Sequence, residues 1–217
     1  MPPSLKTLSR RFGSPRLLSK AASLCALVMV VSSCYIPVKF DAEIEVNRAG
    51  YYTMLFDGYL ADLTLYNGLA SGKITPAQEK EKVAIIETDM RRDSKTKEFK
   101  YFGKGHFKLN WQGEGDLLAA KMVTFLRTNE TIFQLKYVAN SGYVVFETKS
   151  IAKDNRKRIK QMGLNMQGQI RLRTDMPIKD HNASYTKEDP KDKRFTWLVW
   201  DVASILGPRP RAIFIIE

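Results

Sequence analysis

From Val38 to Val46 apolar and polar residues alternate strictly, with Phe40, Ala42, Ile44 and Val46 on one side and Lys39, Asp41, Glu43 and Glu45 on the other. A period of two with one apolar face belongs to a half-buried strand. Asn47-Arg48-Ala49-Gly50 supplies a turn, and the aromatic-rich run from Tyr51 to Asp57 returns as the second strand of a hairpin. The period then changes. Leu60, Leu63, Tyr66 and Leu69 recur every three residues and predict a short helix ending near Gly72. Thr75-Pro76-Ala77-Gln78 carries a capping residue, a proline suited to the first helical position and a glutamine that completes a capping box. A helix over 75–92 follows, with Val83, Ile86 and Met90 as its buried stripe and Glu87 and Arg91 as a favourable pair four apart.

Alternation resumes with Phe99, Tyr101, Phe107, Leu109 and Trp111, which share one parity. Gly103 and Gly105 occupy the same parity and predict a bend, a bulge or close packing within this sheet segment. Leu118, Met122, Phe125 and Leu126 have helical spacing behind a capping Asp116, with a strand as the alternative. A hairpin is expected over 131–150 around Asn140-Ser141-Gly142, then a basic helix over 152–162 stopped by Gly163. Residues 166–174 alternate again, with Ile170 and Leu172 inward and Arg171 and Arg173 outward. Residues 177–193 read as a polar loop or ragged edge, and 195–202 and 212–216 as closing strands around Gly207-Pro208-Arg209-Pro210. This order predicts an α+β domain, a mainly antiparallel sheet with helices packed on one face. Phe40, Ile44, Val83, Ile86 and Trp197 are expected to be buried together or in adjacent layers.

The first 33 residues follow a different logic. Lys6, Arg10, Arg11, Arg16 and Lys20 form a basic leader, and the first acid is Asp41. The apolar or small stretch from Ala21 to Val31, roughly eleven residues, has the length of a signal-peptide core and is too short to span a bilayer. It ends in Val31-Ser32-Ser33-Cys34, which resembles the lipobox of bacterial lipoproteins, where the cysteine is acylated and becomes the first residue of the mature chain. The expected division is a lipoprotein signal peptide over 1–33 and a single α+β envelope domain over 34–217. The chain is expected to reside in the cell envelope, held to a membrane through Cys34. Tyr35 lacks the acid associated with inner-membrane retention, which favours the outer membrane if the cell is Gram-negative.

Export changes the charge count. The leader holds five of the 35 Lys and Arg and none of the 23 acids, leaving 30 against 23, a net of +7 on the mature chain. A basic exported surface favours anionic lipid or glycans, and nucleic acid is not expected as a partner. Only Cys25 and Cys34 are present, so removal of the leader leaves no intramolecular disulfide to form.

No nucleophile motif, metal-ligand spacing or phosphate loop stands out, and no catalytic residue, metal site or cofactor is expected. His106 reads as a strand histidine and His181 as part of a local turn. Glu114, Asp116, Asp175 and Asp180 have no spacing that pairs them for acid–base work. Two features point to binding. Lys153, Arg156, Lys157, Arg158 and Lys160, reinforced by Arg171 and Arg173, form a candidate surface for anionic headgroups. Tyr51, Tyr52, Phe56, Tyr59, Phe99, Tyr101, Phe107 and Trp111 either line an apolar groove or fill the core.

Gly168-Gln169-Ile170-Arg171-Leu172-Arg173-Thr174-Asp175, His181-Asn182-Ala183 and Thr196-Trp197-Leu198-Val199-Trp200-Asp201 resemble the LppM-like bacterial lipoproteins. The shared layout is a strand ending in Thr-Asp, a short His-Asn segment, a Trp-containing strand and a proline turn before the last strand. The aromatic segment 97–111 has no match in that pattern. The resemblance implies an envelope lipoprotein with an α+β domain that interacts with lipid or glycolipid, and it carries no catalytic set. The expected function is therefore a lipid-anchored, non-catalytic binding or accessory module. The alternatives are a structural partner within a larger envelope protein complex and, behind it, an enzyme with a cryptic site.

Overall fold

The computed structural model describes residues 35–126 and 131–216. The leader, Val31-Ser32-Ser33 and Cys34 lie outside the described residues. β1 (Tyr35–Val46) and β2 (Tyr51–Asp62) form the expected hairpin, longer than the alternating core of each strand. They pair from Tyr35 opposite Asp62 to Val46 opposite Tyr52. Leu60 is a strand residue, because it pairs with both Pro37 and Phe107. The first helix, α1 (Leu63–Ala70), therefore starts later than its spacing predicts. Asp62 caps it, accepting from the Leu65 amide at 2.8 Å.

α2 (Pro76–Met90) opens on the predicted capping box, in which Gln78 Oε1 accepts from the Thr75 amide at 2.9 Å and Thr75 Oγ1 from the Gln78 amide at 3.4 Å. Glu87 and Arg91 reach sideways to the next strand instead of pairing. Glu87 accepts from the Tyr101 amide at 3.0 Å and Arg91 donates to the Phe99 carbonyl at 2.9 Å. That strand, β3 (Thr96–Gly103), turns back at Lys104 into β4 (His106–Asp116). The expected single segment with a bend is thus a hairpin, and Gly103, Lys104 and Gly105 all have positive φ. Gly105 is confined by packing as well, since a Cβ there would sit 2.7 Å from the Tyr66 backbone nitrogen.

Both readings of 116–126 contribute, as a single turn α3 (Leu117–Ala120) followed by β5 (Met122–Phe125). β6 (Phe133–Val138) and β7 (Tyr143–Thr148) form the second predicted hairpin. α4 (Lys153–Gln161) ends before Gly163, and β8 (Gln167–Thr174) follows. The stretch expected as a polar loop carries two short edge strands, β9 (Ile178–His181) and β10 (Tyr185–Glu188). β11 (Thr196–Val202) and β12 (Arg211–Ile215) close the chain.

Two sheets result, a seven-stranded one in the order β10-β11-β8-β1-β2-β4-β3 and a five-stranded one in the order β5-β6-β7-β12-β9. Among the described residues only β1 and β8 run parallel. The expectation that helices cover one face needs correction, because much of that cover is a second sheet. Phe125 stacks on Phe56 with centroids 4.5 Å apart, and Phe133 meets Phe40 at 6.0 Å. β6, β7 and β12 each bury alternate residues (Leu135, Phe146, Phe214), so two one-faced sheets bury each other. α2 adds Met90, with Val83 and Ile86 packed against the same core.

Phe40 fixes the alignment of the central strands. It lies opposite Gly58 on β2 and Gly168 on β8. A Cβ at Gly58 would come within 2.5 Å of the Phe40 Cβ, and one at Gly168 within 2.2 Å of the Phe40 carbonyl oxygen. Trp197 corrects the predicted core. It sits opposite Arg173 on the outward parity, and Trp200 is the buried indole of that strand.

Candidate functional site

One end of the seven-stranded sheet gathers most of the features with binding chemistry. Tyr35 pairs with Asp62, Ala61 with His106, Lys39 with Gln167 and Gly168 with Val202. That end therefore holds the start of β1, the β3–β4 turn, the approach from α4 to β8 and the exit from β11. A satellite cluster of Ile36, Ala61, Ile159, Leu164 and Ile205 seats α4 there. Tyr66 joins α1 to it, its hydroxyl donating to the Met162 carbonyl at 2.7 Å.

A cavity of about 440 Å³ lies at this end, lined by Tyr35, Ile36, Pro37, Ile132, Phe133, Ile151, Met166 and the 204–210 segment. Its size is that of small-molecule sites. The wall is mixed: Ile36, Ile132, Phe133, Ile151 and Met166 give it apolar patches, Thr148, Ser150 and Ser204 polar ones, and Lys149, Arg156 and Arg209 bring positive charge to it. Arg156 Nη1 donates to the Gly207 carbonyl at 3.1 Å, which ties α4 to the proline turn. Its Nε is buried without a hydrogen-bond partner among the described residues, an N–H on a cation that would gain from an acceptor. Arg209 pairs with Glu147 at 2.9 Å. Across the 149–151 segment a more open depression of about 590 Å³ is lined by Arg158, Asn155 and Ile159 of α4.

The candidate cations divide into two sets. Lys153, Lys157, Arg158 and Lys160 are exposed on α4, and Arg156 lies half-buried among them. Arg171 and Arg173 point outward from β8 into a lattice of carboxylates. Arg171 meets Glu43 at 3.3 Å and Asp41 at 3.5 Å. Arg173 meets Glu45 at 3.0 Å and Asp189 at 2.5 Å, and its guanidinium stacks 3.6 Å from the Phe195 ring centroid. Asp189 is held below the usual carboxylate range by the Lys191 amide first and by Arg173 second.

Five of the eight candidate aromatic residues, Tyr52, Phe56, Phe99, Phe107 and Trp111, are buried in the core. Tyr101, partly buried, donates to Glu79. Burial and that bond push its hydroxyl up to about 12. Tyr51 and Tyr59 have the outward parity. His106 Nδ1 lies 3.0 Å from the Lys104 carbonyl, and His181 Nδ1 accepts from the Ala183 amide at 3.1 Å. Asp116 caps α3, Asp175 pairs with Arg48 and Asp180 with Arg211, so these three carboxylates are separately engaged. No cluster of His, Cys, Asp and Glu suited to a metal occurs among the described residues. No helix among them is long and apolar enough to cross a membrane.

The cavity escaped sequence reasoning because its wall comes from separated parts of the chain, 35–37, 132–133, 148–151 and 204–210 together with Arg156 and Met166. The proline turn before β12 was its one visible signal.

The architecture is that of a mainly β protein, antiparallel sheets with a few helices. No family model matches the chain, and no curated protein matches it. Among solved structures it is similar to the NMR structure of the folded domain of Mycobacterium tuberculosis LppM, with a TM-score of 0.42 and 8% identity over 85% of this chain and 92% of that one.

Proposed function

We propose that this chain is a lipid-anchored envelope protein of the LppM-like kind, and that residues 35–216 are a non-catalytic module binding an amphiphile with an anionic headgroup, an anionic lipid or a glycolipid. The observation that carries this reading is the cavity of about 440 Å³, which joins apolar patches (Ile36, Ile132, Phe133, Ile151, Met166) to cations at Lys149, Arg156 and Arg209 and is built partly from Tyr35-Ile36-Pro37. Cys34 precedes Tyr35 by one peptide bond. An acyl anchor at Cys34 would hold this end of the domain toward the bilayer, with the exposed cations of α4 beside it. An acyl chain would enter the apolar part and the headgroup would take charge-assisted hydrogen bonds from the cations.

The test has two arms. Replacing Cys34 by Ser should abolish acylation and release the protein from membranes or leave it unprocessed. A variant that fractionates with membranes as before and keeps its mature mass overturns the anchor. Native mass spectrometry of the mature protein, purified without detergent, should show a bound lipid that Arg156→Gln weakens. Bare protein under those conditions, or a stoichiometric protein partner in place of lipid, overturns the binding module.

A further inference from the structure

We propose that the β3–β4 turn is a second membrane contact, a preformed wedge that enters the headgroup layer of an anionic bilayer. Phe102, 56% exposed, stands at the foot of the outward face of β3. Tyr59 meets it edge-on with centroids 5.4 Å apart. Lys100 Nζ lies 5.8 Å from the Phe102 ring and Lys108 Nζ 5.5 Å from that of Tyr59, while Lys104 occupies the apex of the turn. Asp57, paired with Lys108, is the counter-charge on this patch. A phenyl ring ringed by lysines suits a bilayer interface. The ring enters the acyl boundary while the flexible stems keep their ammonium groups among the phosphates.

The turn is held in shape before any contact. The Gly105 carbonyl accepts from the Asp62 amide at 2.9 Å, and the Gly105 amide donates to the Tyr101 hydroxyl at 3.1 Å. Its position commits the occupant. The turn lies at the Tyr35 end of the sheet, where the chain continues into the 34 residues that precede β1, the apolar Ala21–Val31 run included. It is linked to α4 through Tyr66, whose ring meets His106 edge-on at 5.6 Å. The turn and α4 thus lie at the same end of the sheet, and the lysines of the turn match anionic phosphates. The proposal rests on the anchored reading only for the presence of a bilayer, and does not depend on the cavity.

The experiment places an indole at the tip. Full-length protein purified from membranes, as Phe102→Trp and as wild type, is reconstituted into phosphatidylglycerol-containing vesicles with lipids brominated near the top of the acyl chain. The added emission should shift to the blue and be quenched, and the quenching should fall with Lys100, Lys104 and Lys108 replaced by Gln. Leu55→Trp, on the same face of β2 and further from the turn than Tyr59, should show no such quenching. Unquenched added emission at 102, or equal quenching at 55 and 102, overturns the wedge. The mass of the purified chain reports acylation separately. An unacylated chain whose indole at 102 is still quenched overturns the anchor and supports the wedge.

Discussion

The arginines of β8 and the cations of α4 come from neighbouring stretches of sequence and have the same charge, yet the fold treats them differently. Arg171 and Arg173 face Asp41, Glu43 and Glu45 across the parallel β1–β8 ladder, and Asp189 beyond it. Their charge is spent within the sheet. On α4 the acid is Asp154 in the first turn, and Lys153, Lys157, Arg158 and Lys160 remain exposed. A count of basic residues therefore overstates the binding surface. What matters is whether the register places a carboxylate opposite each cation.

The largest expected effect separates the two sets directly. With the chain from Tyr35 onward, replacing Lys153, Lys157, Arg158 and Lys160 by Gln should weaken binding to anionic vesicles by about 3–4 kcal/mol, at roughly 1 kcal/mol per residue. The same change at Arg171 and Arg173 should cost vesicle binding less than about 1 kcal/mol while lowering folding stability. Flotation and denaturant titration read the two quantities. Equal losses of vesicle binding from the two sets would erase the distinction.

Next comes the register that makes the lattice. Gly168→Ala should destabilise the fold by about 1–3 kcal/mol through overpacking against Phe40. The measurement is the shift of the urea midpoint, and an unchanged midpoint would show that β1 and β8 tolerate a side chain there. The smallest effect is one of pH. Asp189 titrates below its ordinary value, so the stability it contributes is complete above the unfolded carboxylate pKa of about 4 and is lost as pH falls from there through the folded value. Asp189→Asn should lower stability at neutral pH and flatten the loss on acidification. An acid limb as steep as that of wild type would count against it.

Much of this arrangement was legible in the residues. Strict alternation gave the β1–β2 hairpin and the outward arginines of β8, and Thr75-Pro76-Ala77-Gln78 gave the start of α2. Alternation says which face of a strand is apolar and nothing about what covers it. A helix and a second sheet satisfy Phe40 and Phe56 equally well, which is why Phe125 and Phe133 came as a correction. The turn at Gly103-Lys104-Gly105 was hidden for a related reason. Phe99 and Phe107 keep their parity whether the chain bends or reverses. Trp197 read as the core candidate of its strand until pairing with β8 set it on the outward face and Trp200 on the inward one.

The parallel β1–β8 pairing also sets an order of events during synthesis. One edge of β1 is closed by β2 as soon as the hairpin forms, but its other edge waits for β8, with Arg171 lying 128 residues beyond Glu43. Contacts of such separation form slowly, so a half-built sheet persists with unpaired backbone groups along its central strand. Such an edge invites a second nascent chain to dock. Asp41, Glu43 and Glu45 stand along it, and until Arg171 and Arg173 arrive they are three uncompensated negative charges that repel an identical edge. The residues that later seal the sheet thus act first as its guards against self-association.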